Sequence, residues 1–179
     1  MGAIPPVDPT RPPSRTKRLA TVVALTRAGN WFYSKIAARV DPALMRATRG
    51  RVNLGARLLP ITLLTARGAR SGVQRTVPLV YFTHGEDVVV IASSFGRPRY
   101  PAWYRNVMAN PEVTLWADGR SGRYRARETI GPDHDELLGL ARQLYRGYGV
   151  YERRLQGVRH VPVLRLSPVE SATPPRPTP

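Results

Sequence analysis

Three stretches of this chain bring together residue types that could do chemistry. The first is GARSG, Gly68 to Gly72, with Arg67 before it and Arg75 after it. Two glycines let a turn present backbone N–H groups inward, and flanking guanidinium groups add charge-assisted bonds, a combination suited to a phosphate. The same tripeptide returns at Arg120-Ser121-Gly122 in a later turn without such surroundings. A solvated hairpin turn therefore remains the competing reading of the first copy. The second stretch, Ala92 to Pro111, runs from an apolar strand through a Gly/Pro-rich loop into a short helix. Arg97 and Arg99 add positive charge at the strand's end, while Trp103 and Tyr104 open the helix with two rings able to wall a planar heterocycle. A plain core role is the alternative for Trp103. The third stretch holds Tyr145, Tyr148 and Tyr151, which share one face if they lie on a helix. Gly147 and Gly149 are expected to break that helix, leaving a mobile flap whose phenols could hydrogen-bond or protonate a reduced product. A structural aromatic cluster is the other reading.

Other chemistries find no support. The chain has no cysteine, so disulfides, thiolate metal sites and thiol nucleophiles are excluded. His84, His134 and His160 stand 50 and 26 residues apart, without metal-ligand spacing, and no metal is expected. There is no P-loop, no G-x-S-x-G elbow and no G-x-G-x-x-G fingerprint. An enzyme with this inventory leaves the hard step to a bound organic cofactor. Asp133, Asp135 and Glu136 could be offered as acid–base groups, but they fall in the first turn of an expected helix, where they favour its N-terminus.

The elements that must position these residues belong to a single domain. At 179 residues, 42% hydrophobic and 22% charged, the chain has material for one real core. Its longest apolar run, Leu19 to Leu25, is far short of the roughly 20 residues of a membrane span, no signal-peptide pattern is present, and a cytoplasmic location is expected. Lys and Arg number 28 against 12 Asp and Glu, giving +16, and only Lys17 and Lys35 are lysines. A GC-rich genome would enrich arginine without purpose, so distribution is more telling than the total. No acidic residue lies between Asp41 and Glu86, while Arg46, Arg49, Arg51, Arg57, Arg67, Arg70 and Arg75 do. That segment is read as facing an anion.

Pro-rich tails, 1–14 and 169–179, are expected to be disordered. Residues 15–50 read as two helices separated by Gly29 and Asn30. With Lys35, Arg39 and Arg46 on the second, they suit peripheral contact with a membrane surface, or simply pack on the domain. Strands are expected at 61–66, 76–83, 88–93, 113–117, 123–130 and 161–166, with helices at 101–109 and 132–146. Val88 to Ala92 is apolar throughout, as in a strand buried on both faces, whereas Arg123, Arg125 and Arg127 alternate as on a solvated one. The fold class is α+β, mainly β: a small barrel over 51–168 with the N-terminal helices and short helices packed on it.

The order LLTARGARSGVQRTVPLVYF, VVVIASSFGRPRYPAWYRNVMANPEVTL, the spaced tyrosines and a final VPVLRLSP resembles the deazaflavin-dependent nitroreductase family of actinobacterial oxidoreductases. The likeness covers about Arg51 to Pro168. It implies a split β-barrel that uses reduced coenzyme F420, an 8-hydroxy-5-deazaflavin whose phosphate-linked polyglutamate tail is anionic, to reduce a quinone, enone or nitroaromatic acceptor. By position, Arg70, Ser71 and Arg75, with Ala69 beside them, would grip the phosphate. Thr76, Val77, Pro78, Leu79 and Val80 would run along the cofactor. Ile91, Ala92, Ser93 and Ser94 would meet the ring, and Ala102, Trp103, Tyr104, Arg105 and Asn106 would form its other wall. Tyr145, Tyr148 and Tyr151, with Ser93, would do the chemistry on the acceptor side, Tyr148 nearest the cofactor. Ala69 stands where some members carry a basic residue, Ser94 where some carry lysine and Val80 where some carry tyrosine. Phosphate grip would then lean on Arg97 or Arg99. FMN in the same barrel is the second reading, a basic nucleic-acid-binding module the third, and a homodimer is compatible with such a barrel.

Overall fold

A computed structural model describes residues 3–11 and 59–169. The expected N-terminal helices lie outside the described residues. Six antiparallel strands, β1 (Ile61–Arg67), β2 (Gln74–His84), β3 (Asp87–Ile91), β4 (Glu112–Ala117), β5 (Arg120–Glu128) and β6 (Val163–Pro168), close into a barrel in the order β1-β2-β3-β6-β5-β4. Helix α1 (Ala102–Ala109) follows β3, while α2 (Gly131–Leu144) and α3 (Gly147–Leu155) lie between β5 and β6.

Alternation builds two cores. Leu64, Val88, Val90, Leu115, Tyr124, Leu164 and Leu166 fill the barrel. Val89 and Ile91, on the opposite face of β3, pack with Phe82, Leu137, Leu138, Tyr148, Tyr151 and Leu155 under α2 and α3. The unbroken apolar run of β3 is thus explained by burial on both sides. On β5, Tyr124 is fully buried while Arg123, Arg125 and Arg127 are exposed, as the alternation required. A two-residue Asp118-Gly119 hairpin joins β4 to β5 with φ of 47° and 77°, the left-handed pair a type I′ turn demands.

Three expectations are corrected. Residues 3–11 are docked rather than disordered: Ile4 is 3% exposed and its N–H donates to the Tyr124 hydroxyl at 3.2 Å. The Val7 N–H donates to Thr83 Oγ1 at 2.9 Å, and Tyr81 Oη donates to the Pro5 carbonyl at 3.1 Å. Two isolated apolar side chains and prolines already biased to extended backbone are enough to anchor the segment. Arg120-Ser121-Gly122 lies within β5, not in a turn, and Gly122 is needed because a Cβ there would collide with the Ala3 side chain. Gly147 and Gly149 do not open a flap. Gly147 starts α3 and Gly149 lies inside it, the helix being held by the buried Tyr148, Tyr151 and Leu155 despite the glycines' low propensity. At the other end, the Val169 N–H donates to the Arg123 carbonyl, so the first residue of the expected C-terminal tail is paired.

Candidate functional site

β2 is longer than the neighbour that covers it. It pairs with β1 from Gln74 to Val80, but β3 pairs only with Tyr81 to His84. Thr76, Val77, Pro78, Leu79 and Val80 therefore have a strand on one side only, and all five are half-buried. This stretch therefore keeps one backbone edge without a strand partner among the described residues.

The β1–β2 loop leads into this stretch. The Gly72 N–H donates to the Gly68 carbonyl and the Gly68 N–H to the Val73 carbonyl, both at 2.9 Å. Gly72 has φ of 67°, which only glycine adopts without strain, and the Arg67 guanidinium lies 3.5 Å from where its Cβ would be. Ala69, Arg70, Ser71 and Arg75 are exposed. Neither Arg70 nor Arg75 has an acidic partner among the described residues, in contrast to Arg142, which pairs with Glu152, and Arg165, which pairs with Asp133. The loop is tied to α1: the Ala69 N–H donates to Asn106 Oδ1 at 3.1 Å, and Asn110 Nδ2 donates to the Arg67 carbonyl at 3.4 Å.

Helix α1 packs beside the β1–β2 loop. Pro101 occupies its N-cap and Val107 anchors it in the barrel core, leaving Trp103, Tyr104 and Asn106 half-buried and Ala102 and Arg105 exposed. Trp103 and Tyr104 stand edge to face with centroids 6.5 Å apart. Tyr104 Oη donates to Glu128 Oε2 at 2.7 Å. Burial, reinforced by that bond, pushes the Tyr104 hydroxyl far above its ordinary value. Tyr104 accordingly stays protonated, its proton committed to Glu128, and what it can offer a ligand is its ring. Glu128 Oε1 lies 2.9 Å from His160 Nε2, and His160 Nδ1 lies 3.0 Å from Tyr100 Oη. His160 thus links Tyr100 to Glu128 through its two ring nitrogens.

The segment between β3 and α1 is held from behind by Arg159. Its guanidinium donates to the Ser93 carbonyl at 3.0 Å, the Arg97 carbonyl at 3.1 Å and the Ala92 carbonyl at 3.4 Å, and sits 4.6 Å from the Tyr100 ring centre. Ile91, Ala92 and Ser93 are buried and Ser94 half-buried. Ser94 and Phe95 have φ of 51° and 57°, conformations that cost a non-glycine residue roughly 1–2 kcal/mol each.

The tyrosines gather beside this loop. Centroids of Tyr145, Tyr148 and Tyr151 are 5.4 to 6.4 Å apart, and the Tyr145 and Tyr151 hydroxyls meet at 3.2 Å. Tyr148 and Tyr151 are 6% and 5% exposed. Burial raises the Tyr151 hydroxyl, so it too remains a proton donor at neutral pH. The three form an aromatic cluster continuous with the outer core, placed next to Phe95 and Ser94.

Sequence reasoning brought forward the loop, the half-paired strand, the α1 rings and the tyrosines. It missed Arg159, Glu128, His160 and Tyr100, whose partners lie 24 to 67 positions away and leave no local signal. Among the described residues no group of His, Asp and Glu could hold a metal ion, and no helix is long and apolar enough to cross a membrane. A separate open depression of about 550 Å³, lined by His134, Leu138, Leu155 and Gln156, shares only Arg159 and His160 with this arrangement.

A closed antiparallel barrel with a half-paired second strand and short helices over its flank defines the split β-barrel class. Within it, the chain belongs to the F420H(2)-dependent quinone reductase family, whose model matches residues 37–168. It is similar to the F420H(2)-dependent quinone reductase Rv1261c of Mycobacterium tuberculosis, 39% identical over 80 residues, which are 43% of this chain and 52% of the relative. The chain spans about half the length of the curated relatives it matches. Among solved structures it resembles an F420-H2 dependent reductase called FDR-A, at 34% identity and a TM-score of 0.56, covering 60% of this chain and 94% of that one. A second structure, described as a domain-swapped dimer, is 32% identical with a TM-score of 0.57 and covers 72% of this chain and 96% of the other.

Proposed function

We propose that this protein uses reduced coenzyme F420 to reduce a quinone. The observation that carries the reading is the half-paired stretch of β2, Thr76 to Val80, running from a turn with two acid-free arginines to the Ser93–Ser94 loop. An elongated ligand with an anionic tail and a planar head matches that order of surfaces. The bound deazaflavin would supply the hydride.

The chain's residues do the rest. Arg70 and Arg75, with N–H groups of the loop, hold the phosphate. The exposed edge of Thr76 to Val80 offers backbone donors and acceptors along the ligand, and Trp103 and Tyr104 wall the ring, Tyr104 fixed by Glu128. Ser93 and Ser94 meet the ring where Arg159 stops the loop from retreating. Proximity and orientation are the main catalytic contributions. Protonated hydroxyls of the cluster Tyr145, Tyr148 and Tyr151 donate hydrogen bonds to the acceptor's developing oxyanion, with Tyr148 closest to the cofactor, and the proton arrives through them. Enones and activated nitroaromatics place electron-deficient atoms similarly and are further acceptors of this reading. Arg97 and Arg99, both exposed, are additional contacts for the anionic tail.

FMN and nucleic acid fit less well, because the family whose model matches this chain is described as F420H(2)-dependent quinone reductase. A homodimer is part of the proposal, because a relative of similar fold is described as a domain-swapped dimer. Mixing the protein with reduced F420 and a naphthoquinone, and following the absorbance of oxidised F420, should show quinone-dependent turnover. Absence of turnover with every quinone and nitroaromatic tried, or turnover with reduced FMN alone, would overturn the assignment.

A further inference from the structure

We propose that Phe95 determines which acceptors the site admits, by filling the seam between the Ser93–Ser94 loop and Tyr151. The proposal rests on the reading of the β2 edge as a deazaflavin site with the tyrosines on its acceptor side. Ser94, Phe95 and Gly96 have φ of 51°, 57° and 73°, three consecutive left-handed residues. Glycine is required at 96: a Cβ there would lie 3.3 Å from the Tyr151 Cα and 3.2 Å from Arg154 Cδ. At 95 nothing in the backbone calls for a ring, and a bulky side chain at positive φ is sterically unfavourable. Glycine would hold the same turn without strain. What position 95 supplies is therefore the phenyl group itself.

That ring is docked. It meets Tyr151 edge to face, with centroids 6.1 Å apart and an interplanar angle of 78°, and packs against the core under α2 and α3 while staying half-exposed. Tyr151 is fixed in turn by its hydroxyl contact with Tyr145 and by burial. Behind the loop, Arg159 grips the carbonyls of Ala92, Ser93 and Arg97. With both sides held, a change in side-chain size at 95 is not absorbed by loop movement and alters the space beside Ser94 and the tyrosines. Strain kept at a functional loop by surrounding contacts is the expected mark of such a role.

The test compares Phe95→Gly, which keeps the turn and removes the ring, with Phe95→Leu, which keeps bulk. Values of kcat and KM are measured for an unsubstituted benzoquinone and for a naphthoquinone with a bulky ring substituent, alongside F420 affinity by fluorescence. Phe95→Gly should raise the bulky-to-small ratio of kcat/KM about tenfold, chiefly through KM for the bulky quinone, with F420 affinity changed less than about twofold. Phe95→Leu should keep the wild-type ratio. Should Phe95→Gly fail to fold, Phe95→Asn, whose residue type tolerates positive φ, carries the same expectation. An unchanged ratio in a folded, active small variant overturns the role of Phe95 and leaves the F420 assignment standing. A wild-type protein that neither binds F420 nor reduces either quinone overturns that assignment and this proposal with it.

Discussion

Arg-Ser-Gly occurs at 70–72 and again at 120–122, and the two copies sit in opposite surroundings. In the first, Gly72 takes a φ of 67° in a short loop, and Arg70 and Ser71 are exposed, Arg70 without an acidic partner among the described residues. In the second, all three residues pair with β4 inside a regular strand, and Gly122 is there to admit Ala3 of the docked N-terminal segment. In the proposed reading, identical residues serve a ligand in one place and packing in the other. The difference lies in what flanks them: loop closure through Gly68 and an anchor on Asn106 for the first, a strand partner and an overlying chain for the second.

The comparison breaks most visibly when its arginines are removed. Arg70→Ala combined with Arg75→Ala should weaken F420 binding about 100-fold, the loss of two charge-assisted contacts, and flatten its salt dependence. Arg120→Ala, on exposed β5, should leave affinity within about twofold. Isothermal titration of wild type and the two variants reads both outcomes, and equal losses in the double variant and in Arg120→Ala would erase the distinction.

Next come the glycines. Gly122→Val should expel Ala3 and cost about 1–2 kcal/mol in chemical denaturation while F420 affinity stays near wild type. Gly72→Ala should cost about 1 kcal/mol through its positive φ and, unlike Gly122→Val, also weaken F420 several-fold by distorting the loop. Reversal of that pattern would assign the two copies the other way round.

The smallest expected effect concerns an arginine whose donors are taken. Arg165, 9% exposed, is bonded to both carboxylate oxygens of Asp133, and also approaches His84 and Asp87. The hydrogen bonds from Arg165 hold the Asp133 carboxyl below its ordinary 3.8. A carboxylate depressed in the folded state stabilises the protein above its unfolded pKa and loses that contribution as pH falls through the folded value. The Tm advantage of wild type over Asp133→Asn should therefore be full at neutral pH and shrink below about pH 4. A difference independent of pH would show that the pair carries no such linkage.

Local periodicity carried much of the barrel. The strands came through because β-branched runs, two hairpin turns and the arginine alternation on β5 are short-range signals. Burial of Val88 to Ala92 on both faces was legible for the same reason. What escaped was non-local. Ile4 and Val7 look unremarkable in a proline-rich tail until Thr83 and Tyr124 are seen beside them. Gly147 and Gly149 read as breakers because the burial that holds α3 comes from other elements, Phe82 on β2, Leu137 on α2 and Val163 on β6. In the candidate site, the Gly/Arg turn at 67–75 and the rings of Trp103 and Tyr104 were visible as residue types. The Glu128–His160–Tyr100 chain and the Arg159 clamp were not, since each joins separate elements.

The central claim is that the turn at 68–75 and the open edge of β2 bind a deazaflavin with an anionic tail. Fluorescence titration of the wild-type protein with F420, beside FMN and at low and high salt, tests it most directly. The account predicts saturable F420 binding that weakens markedly with salt, and little binding of FMN. F420 affinity that is absent, indifferent to salt or no better than that of FMN would contradict it.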